Sequence, residues 1–241
     1  MGHLRTERDN NHFIRNKVNL KNRIIIIFLI TTMISGNIYC QDRKDWHHTI
    51  GINLLQIPST TIDLSCFIAY KPSYTIIINS GYTLNYANSF DFVGFFLSPH
   101  YKCGNNGYSM KNQSGGYLKI GLKYNLRRSL EKSNYFFLGG FLSNSFIYEI
   151  AEYENWEVPN SQIEELKHTV FVFGLTGLLG YNFNISEKLN SDFGVQISIP
   201  SKANEKLYGY SNYIPGMGYM ETCGGERIFP LIVLNLKYRL N

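Results

Sequence analysis

Hydrophobic and polar positions alternate with a period of two through much of the chain, most plainly between Lys167 and Ile199. Thr169, Phe171, Phe173, Leu175, Gly177, Leu179, Tyr181 and Phe183 fall on one parity. His168, Val170, Val172, Gly174, Thr176, Leu178, Gly180 and Asn182 fall on the other. After Ile185-Ser186-Glu187-Lys188 the alternation resumes, with Leu189, Phe193, Val195, Ile197 and Ile199 against Asn190, Asp192, Gly194, Gln196 and Ser198. Successive side chains leave opposite faces of a strand, so these runs predict two long strands joined by a tight polar turn. One face is bulky and apolar; the other is small, polar or glycine.

The same pattern predicts six more strands. The first sets His48, Ile50, Ile52 and Leu54 against Thr49, Gly51 and Asn53. The second sets Ile62, Leu64, Cys66, Ile68 and Tyr70 against Asp63, Ser65 and Ala69. The third sets Tyr74, Ile76, Ile78, Tyr82, Leu84 and Tyr86 against Thr75, Asn79, Gly81, Thr83 and Asn85. Leu118, Ile120, Leu122, Tyr124 and Leu126 define the fourth, with Lys119, Gly121, Lys123, Asn125 and Arg127 opposite. Phe136, Leu138, Leu142, Phe146 and Tyr148 define the fifth, against Gly139, Ser143, Ser145 and Glu149. The last runs from Ile228 to Leu240, with Val233, Asn235, Lys237 and Arg239 on its polar side. Tight connections are expected at 71–73, 128–133 and 185–188, and long loops at 87–115, 150–166 and 200–227, the run from Gly104 to Gly116 being read as loop. Residues 56–60 make a further short connection.

The predicted fold is all-β: an eight-stranded antiparallel up-and-down transmembrane β-barrel. A soluble lipocalin-like barrel would reverse the faces. Eight strands enclose only enough space for side chains, and the aromatic-rich face is too bulky for it. Composition agrees: 18 Tyr, 16 Phe and 21 Gly in 241 residues, with a mildly negative mean hydropathy, as when apolar and polar positions cancel.

Of the formal net charge of +5, residues 1–40 carry +4, from Arg5, Arg8, Arg15, Lys17, Lys21 and Arg23 against Glu7 and Asp9. Basicity so confined argues against nucleic acid as a partner. The basic flank Lys17–Arg23, the apolar run Ile24–Ile34 and the break at Ser35-Gly36-Asn37 have the form of a signal peptide with an extended basic n-region. The run is too short for a spanning helix, which needs about 20 apolar residues. The expected division is a signal peptide over 1–40, cut before Gln41, and a barrel over 41–241; acylation of Cys40 is the alternative, which the bulky Tyr39 disfavours. Export permits disulfides. Cys103 and Cys223 both lie in turn-rich loops and are candidates to pair, or else remain two loop thiols. Cys66 reads as a small apolar residue on the outward face.

Candidate chemistry lies on the inward parity, where Asp63, Glu149 and Asp192 share the lumen with Lys119, Lys123, Arg127, Lys237 and Arg239. Buried charges need partners, so these side chains are expected to plug the lumen; a proton or solute path is the sharper alternative. Ser98 and His100, with His168, are the only candidates for hydrolysis, and no nucleophile motif accompanies them. His47-His48 is a weak metal candidate, and Glu152, Glu154, Glu157, Glu164 and Glu165 do not follow a calcium-loop pattern. No enzyme activity, metal or cofactor is expected.

Gly121-Leu122-Lys123-Tyr124-Asn125-Leu126, Tyr213-Ile214-Pro215-Gly216-Met217-Gly218 and Leu234-Asn235-Leu236-Lys237-Tyr238-Arg239-Leu240 resemble segments of a small outer-membrane β-barrel family of Bacteroidota-type envelopes, of undefined function and OmpA/OmpX-like architecture. The resemblance covers about residues 45–241 and departs at the C-terminus, which ends Leu240-Asn241 rather than on an aromatic. It implies the outer membrane of a Gram-negative-type cell, with outer-membrane lipid and the barrel-assembly machinery as partners. The expected role is structural or loop-mediated binding of an extracellular ligand or envelope protein. A narrow transport or secretion-accessory barrel is the alternative, and a lipid-modifying enzyme a further one.

Overall fold

The computed structural model describes residues 46–70, 72–85, 108–127, 134–155, 162–201, 213–219 and 228–240. The leader, Cys40, Cys103, Cys223, Ser98 and His100 fall outside them.

Eight strands close into an antiparallel barrel: β1 (Trp46–Asn53), β2 (Thr61–Tyr70), β3 (Tyr74–Thr83), β4 (Tyr108–Asn125), β5 (Tyr135–Tyr153), β6 (Glu164–Asn184), β7 (Leu189–Pro200) and β10 (Phe229–Arg239). Each pairs with its sequence neighbour, and β1 closes the ring on β10 through Thr49↔Arg239 to Asn53↔Asn235. Between β7 and β10 lies a separate two-stranded hairpin, β8 (Tyr213–Ile214) and β9 (Gly218–Tyr219).

The alternation sets the facing of every stave. Phe171, Leu179 and Val195 are exposed on the outside, while Val170, Val172, Leu178 and Gln196 are buried within. A one-residue slip would reverse all of these, and the register Tyr181↔Phe193, Asn182↔Asp192 keeps like faces together.

The predicted loops are shorter than expected. β4 begins at Tyr108 inside the Gly/Asn/Ser-rich run, with a bulge between Met110 and Asn112 where the ladder to β5 shifts register. β5 extends to Tyr153 and β6 starts at Glu164, so Glu152, Glu164 and Glu165 are strand residues. Pairing supplies what composition lacked: an unbroken ladder from Tyr135↔Asn182 to Tyr153↔Glu164 satisfies the backbone whatever the side chains. β7 pairs with β6 only over Gly174–Asn184, and β3 with β4 only over Gly115–Tyr124. The β4–β5–β6 ladder therefore rises past its neighbours at the long-loop end.

The expectation of a small, polar lumen needs correction. Phe67, Ile77, Tyr135, Phe137, Phe141, Leu178, Leu231 and Val233 form an apolar cluster inside the barrel. They fit because glycines face them. A Cβ on Gly180 would lie 2.6 Å from Phe137 Cζ, and one on Gly81 would lie 2.5 Å from the Tyr117 ring. Large and small inward residues interlock as in any close-packed core.

Gly180→Ala should lower stability by about 1–3 kcal/mol, the usual cost of overpacking. Gly177→Ala, whose added Cβ has nothing nearer than Ile197 O at 3.9 Å, should change it by no more than about 0.5 kcal/mol. Urea unfolding midpoints of the two variants in detergent, read by tyrosine fluorescence, check the difference.

Candidate functional site

The candidate site is the lumen itself, and β7 places its central group. Ile185 N and Ser186 N donate to Leu189 O (2.9 and 2.8 Å), closing the tight turn from β6. Three residues on, Asp192 points inward, opposite Asn182 on β6 and Asn235 on β10. Its carboxylate accepts from Lys237 Nζ at 2.6 Å, Lys123 Nζ at 2.8 Å and Asn182 Nδ2 at 2.7 Å. Lys123 reaches it across the lumen from β4, and all three charged side chains are buried.

One carboxylate thus faces two ammonium groups, and aromatic faces take up the rest. Lys123 Nζ lies 4.3 Å from the Phe137 ring centre and 5.3 Å from that of Phe67; Lys237 Nζ lies 5.1 Å from Phe67. Desolvated cation–π contacts contribute about 2 kcal/mol. Phe67 thereby serves two lysines.

The other predicted lumen charges belong to separate groups. Asp63 is hydrogen-bonded by Asn79 Nδ2, which also donates to Ser65 Oγ at 2.8 Å. Lys119 donates to Gln196 Oε1 at 2.9 Å and lies 5.3 Å from the Tyr117 ring centre. Glu149 is fully buried on β5, in register with His168 on β6 and Gln113 on β4. Arg127, just past β4, donates from Nε to Pro72 O at 2.8 Å, its guanidinium 4.4 Å from the Tyr135 ring centre. Arg239 sits at the rim, exposed. The structure brings together Lys123, Asp192 and Lys237, with Arg127 and Arg239 lining the same end of the lumen. Asp63, Lys119 and Glu149 lie elsewhere along the inner wall.

The hairpin from Tyr213 to Tyr219, within a stretch read from sequence as an outer loop, is folded into the barrel. Tyr213, Ile214 and Met217 are fully buried. Tyr213 Oη bonds Thr61 Oγ1 at 2.9 Å and donates to Gln56 Oε1 at 3.0 Å. Gln113 Nε2 donates to Tyr213 O at 3.2 Å, and Gln196 Nε2 to Gly216 O at 3.0 Å. Ile214 and Met217 pack with Ile147, Val170 and Val172 on the rising part of β5 and β6, and with Phe229 at the start of β10. Gly216, at φ +76°, turns the hairpin with its Cα against the Tyr117 ring, where no Cβ fits. The lumen is closed here by chain. The sequence signal was Pro215-Gly216-Met217-Gly218 between two apolar dipeptides, a hairpin turn whose destination no local pattern reveals.

A cavity of about 310 Å³ lies at the opposite, short-turn end, below the Lys123–Asp192–Lys237 group. His47 lines it, whereas His48 lies on the outward parity. Among the described residues no three His, Cys, Asp or Glu side chains converge as metal ligands. The Cys103–Cys223 pairing lies outside the described residues, and Cys66 is a half-buried free thiol on the outward face of β2.

By closure and strand order the chain is an eight-stranded antiparallel barrel. No family model matches it, and no curated protein matches it. The family expectation drawn from Gly121–Leu126, Tyr213–Gly218 and Leu234–Leu240 accordingly has no matching model behind it. Among solved structures the chain is similar to the crystal structure of Neisserial surface protein A (NspA), at 10% identity and a TM-score of 0.36, over 80% of this chain and 93% of that one.

Asp192→Asn should destabilise the barrel by about 3–5 kcal/mol, since it leaves two buried ammonium groups without a counter-charge. Combining it with Lys123→Met and Lys237→Met should recover most of that loss. Equal unfolding midpoints for the single variant and the parent protein would show that Asp192 does not hold the lysines.

Proposed function

We propose that the chain is an outer-membrane β-barrel whose strands anchor it in lipid and whose lumen is closed to solutes. Its role is structural or binding, carried by the segments at its long-loop end. The outward surface supports this reading most strongly. Leu142, Leu175, Leu122, Leu179, Phe136 and Phe173 are each about 60–70% exposed there. An apolar surface so extensive marks contact with hydrocarbon or with another protein. Its continuation around a closed barrel fits lipid.

The ends of this band support the same reading. At the short-turn end, outward aromatics pair as Trp46–Tyr70 (ring centres 4.8 Å apart), Tyr74–Tyr124 (5.4 Å) and Phe136–Tyr181 (4.8 Å). Amphipathic rings in a belt favour the headgroup level. At the other end, exposed charges replace the apolar face, including Lys111 bound to Glu152 at 2.9 Å and Lys167 paired with Glu165. Such exposed pairs contribute no more than about 1 kcal/mol and belong in water. Most staves meet or exceed the about 9–11 residues that cross a bilayer at barrel tilt.

In this reading the short turns face the periplasm and the long loops the exterior. The leader over 1–40 directs export, and barrel-assembly machinery inserts the chain. The buried hairpin and the filled lumen favour a plugged barrel over a transport path.

Fractionation tests the location. The protein should sediment with outer membranes, resist carbonate extraction and run faster on gels unheated than heated, as closed barrels do. Recovery in the soluble fraction would end the membrane reading. In planar bilayers the intact protein should pass no stable unitary current; a reproducible open level would refute the sealed lumen while leaving the location intact.

A further inference from the structure

We propose that the short-turn mouth of the barrel binds a small phosphate-bearing dianion. The inference goes beyond the membrane reading and holds whichever compartment the mouth faces.

The cavity of about 310 Å³ is axial: Thr49, Phe67, Thr75, Lys123, Tyr135, Asn182, Asn190 and Lys237 reach it from all eight staves. Water occupies about 30 Å³ per molecule in the liquid, so there is room for a phosphoryl group together with several waters. Four cations line the space: Lys123, Arg127, Lys237 and Arg239. Two carboxylates offset them, Glu187 in the wall and Asp192 behind the two lysines. Among the described residues the formal surplus is two positive charges, which a dianion matches and a monocarboxylate does not.

The two arginines are the free part of that surplus. Neither has a carboxylate within ion-pair distance among the described residues. Arg127 is held in place by Pro72 O and the Tyr135 ring, with Nε committed and the terminal amino groups remaining as donors. An anchored guanidinium presents paired N–H groups to two oxygens of a phosphate. Arg239 follows Lys237 by two residues on β10 and so stands on the same inward parity, one step nearer the opening. Staves surround the cavity, and walls of low dielectric focus the field of the cations that line it. Asn184 adds a neutral donor. The opposite end is closed by the Tyr213–Tyr219 hairpin, so the site is a cup and not a passage.

The shared chemistry is a phosphate with two negative charges or a phosphate monoester, supplied free in solution or on a lipid headgroup. The full barrel, folded in non-ionic micelles, is titrated with inorganic phosphate and separately with acetate at constant ionic strength. Binding is read by calorimetry and by phosphorus-31 line broadening. Phosphate should saturate a single site at least about tenfold more tightly than acetate. Arg127→Gln with Arg239→Gln should weaken it by about tenfold or more. Glu187→Gln, which removes a repelling charge from the wall, should tighten it by about threefold. Each variant is first checked for the heat-dependent gel shift. If the double variant loses that shift, Glu187→Gln decides alone, because a structural role for the wall does not predict a gain. Micelles doped with an anionic phospholipid that compete with phosphate assign the site to a lipid headgroup; absence of competition assigns it to the free ion. Non-saturating titration, equal response to acetate, or no gain with Glu187→Gln overturns the proposal.

Discussion

Closure is the constraint on which the structure depends. Once β1 bonds β10, no strand edge remains in the ring, and every inward side chain must find its partner within a narrow cylinder. The inward face carries five cations, Lys119, Lys123, Arg127, Lys237 and Arg239, against the carboxylates of Asp63, Glu149 and Asp192. Ion pairing alone cannot settle such a set. The aromatic rings take up what the carboxylates leave: Phe67 and Phe137 beside the lysines of Asp192, Tyr117 beside Lys119, and Tyr135 beside Arg127. The rings inside the barrel are thus part of its electrostatics as well as its packing.

The same constraint makes the two ends unlike. Above, the ladder of β4, β5 and β6 outgrows its neighbours and offers an apolar inner wall, on which Ile214 and Met217 seat. The hairpin also bonds the glutamines at that end, Gln56, Gln113 and Gln196, through one tyrosine hydroxyl and the carbonyls of Tyr213, Gly216 and Met217. Below, among the described residues, no chain enters, and the cations stand around a cavity.

The sequence made the staves legible because period-two alternation is a local property, visible wherever one face differs from the other. It located all eight barrel strands and their outward parity, as at Phe171, Leu179 and Val195. It was less informative where the two faces look alike or composition favours turns. Within the run from Gly104 to Gly116, Gly, Asn and Ser weaken any strand signal, yet from Tyr108 onward pairing with β5 supplies the order that propensity lacks. Phe67, Phe137, Phe141 and Leu231 stand on the inward parity, but bulk alone places aromatics outward as a class. The glycine opposite each ring, as Gly180 faces Phe137, is a relation between strands that no single run displays. Of the ionic cluster, residue identity and facing were readable. Which charges meet was not, because Lys123 and Asp192 come from opposite walls.

The inner and outer faces also bear jointly on the proposed setting. Ordering a chain of this length carries a conformational cost offset mainly by removing apolar surface from water. Within the barrel that surface is limited to two clusters, one of which depends on the inserted hairpin. Much of the remaining interior is amide, hydroxyl and ammonium, whose hydrogen bonds replace those made with water and contribute little net. Outward Leu, Ile and Phe side chains left in water would add nothing relative to the unfolded chain. Placed against hydrocarbon, they contribute over the whole circumference. In the proposed setting a barrel with so polar a core and so apolar a coat would be stabilised largely from outside, the membrane completing the hydrophobic burial that the lumen cannot supply.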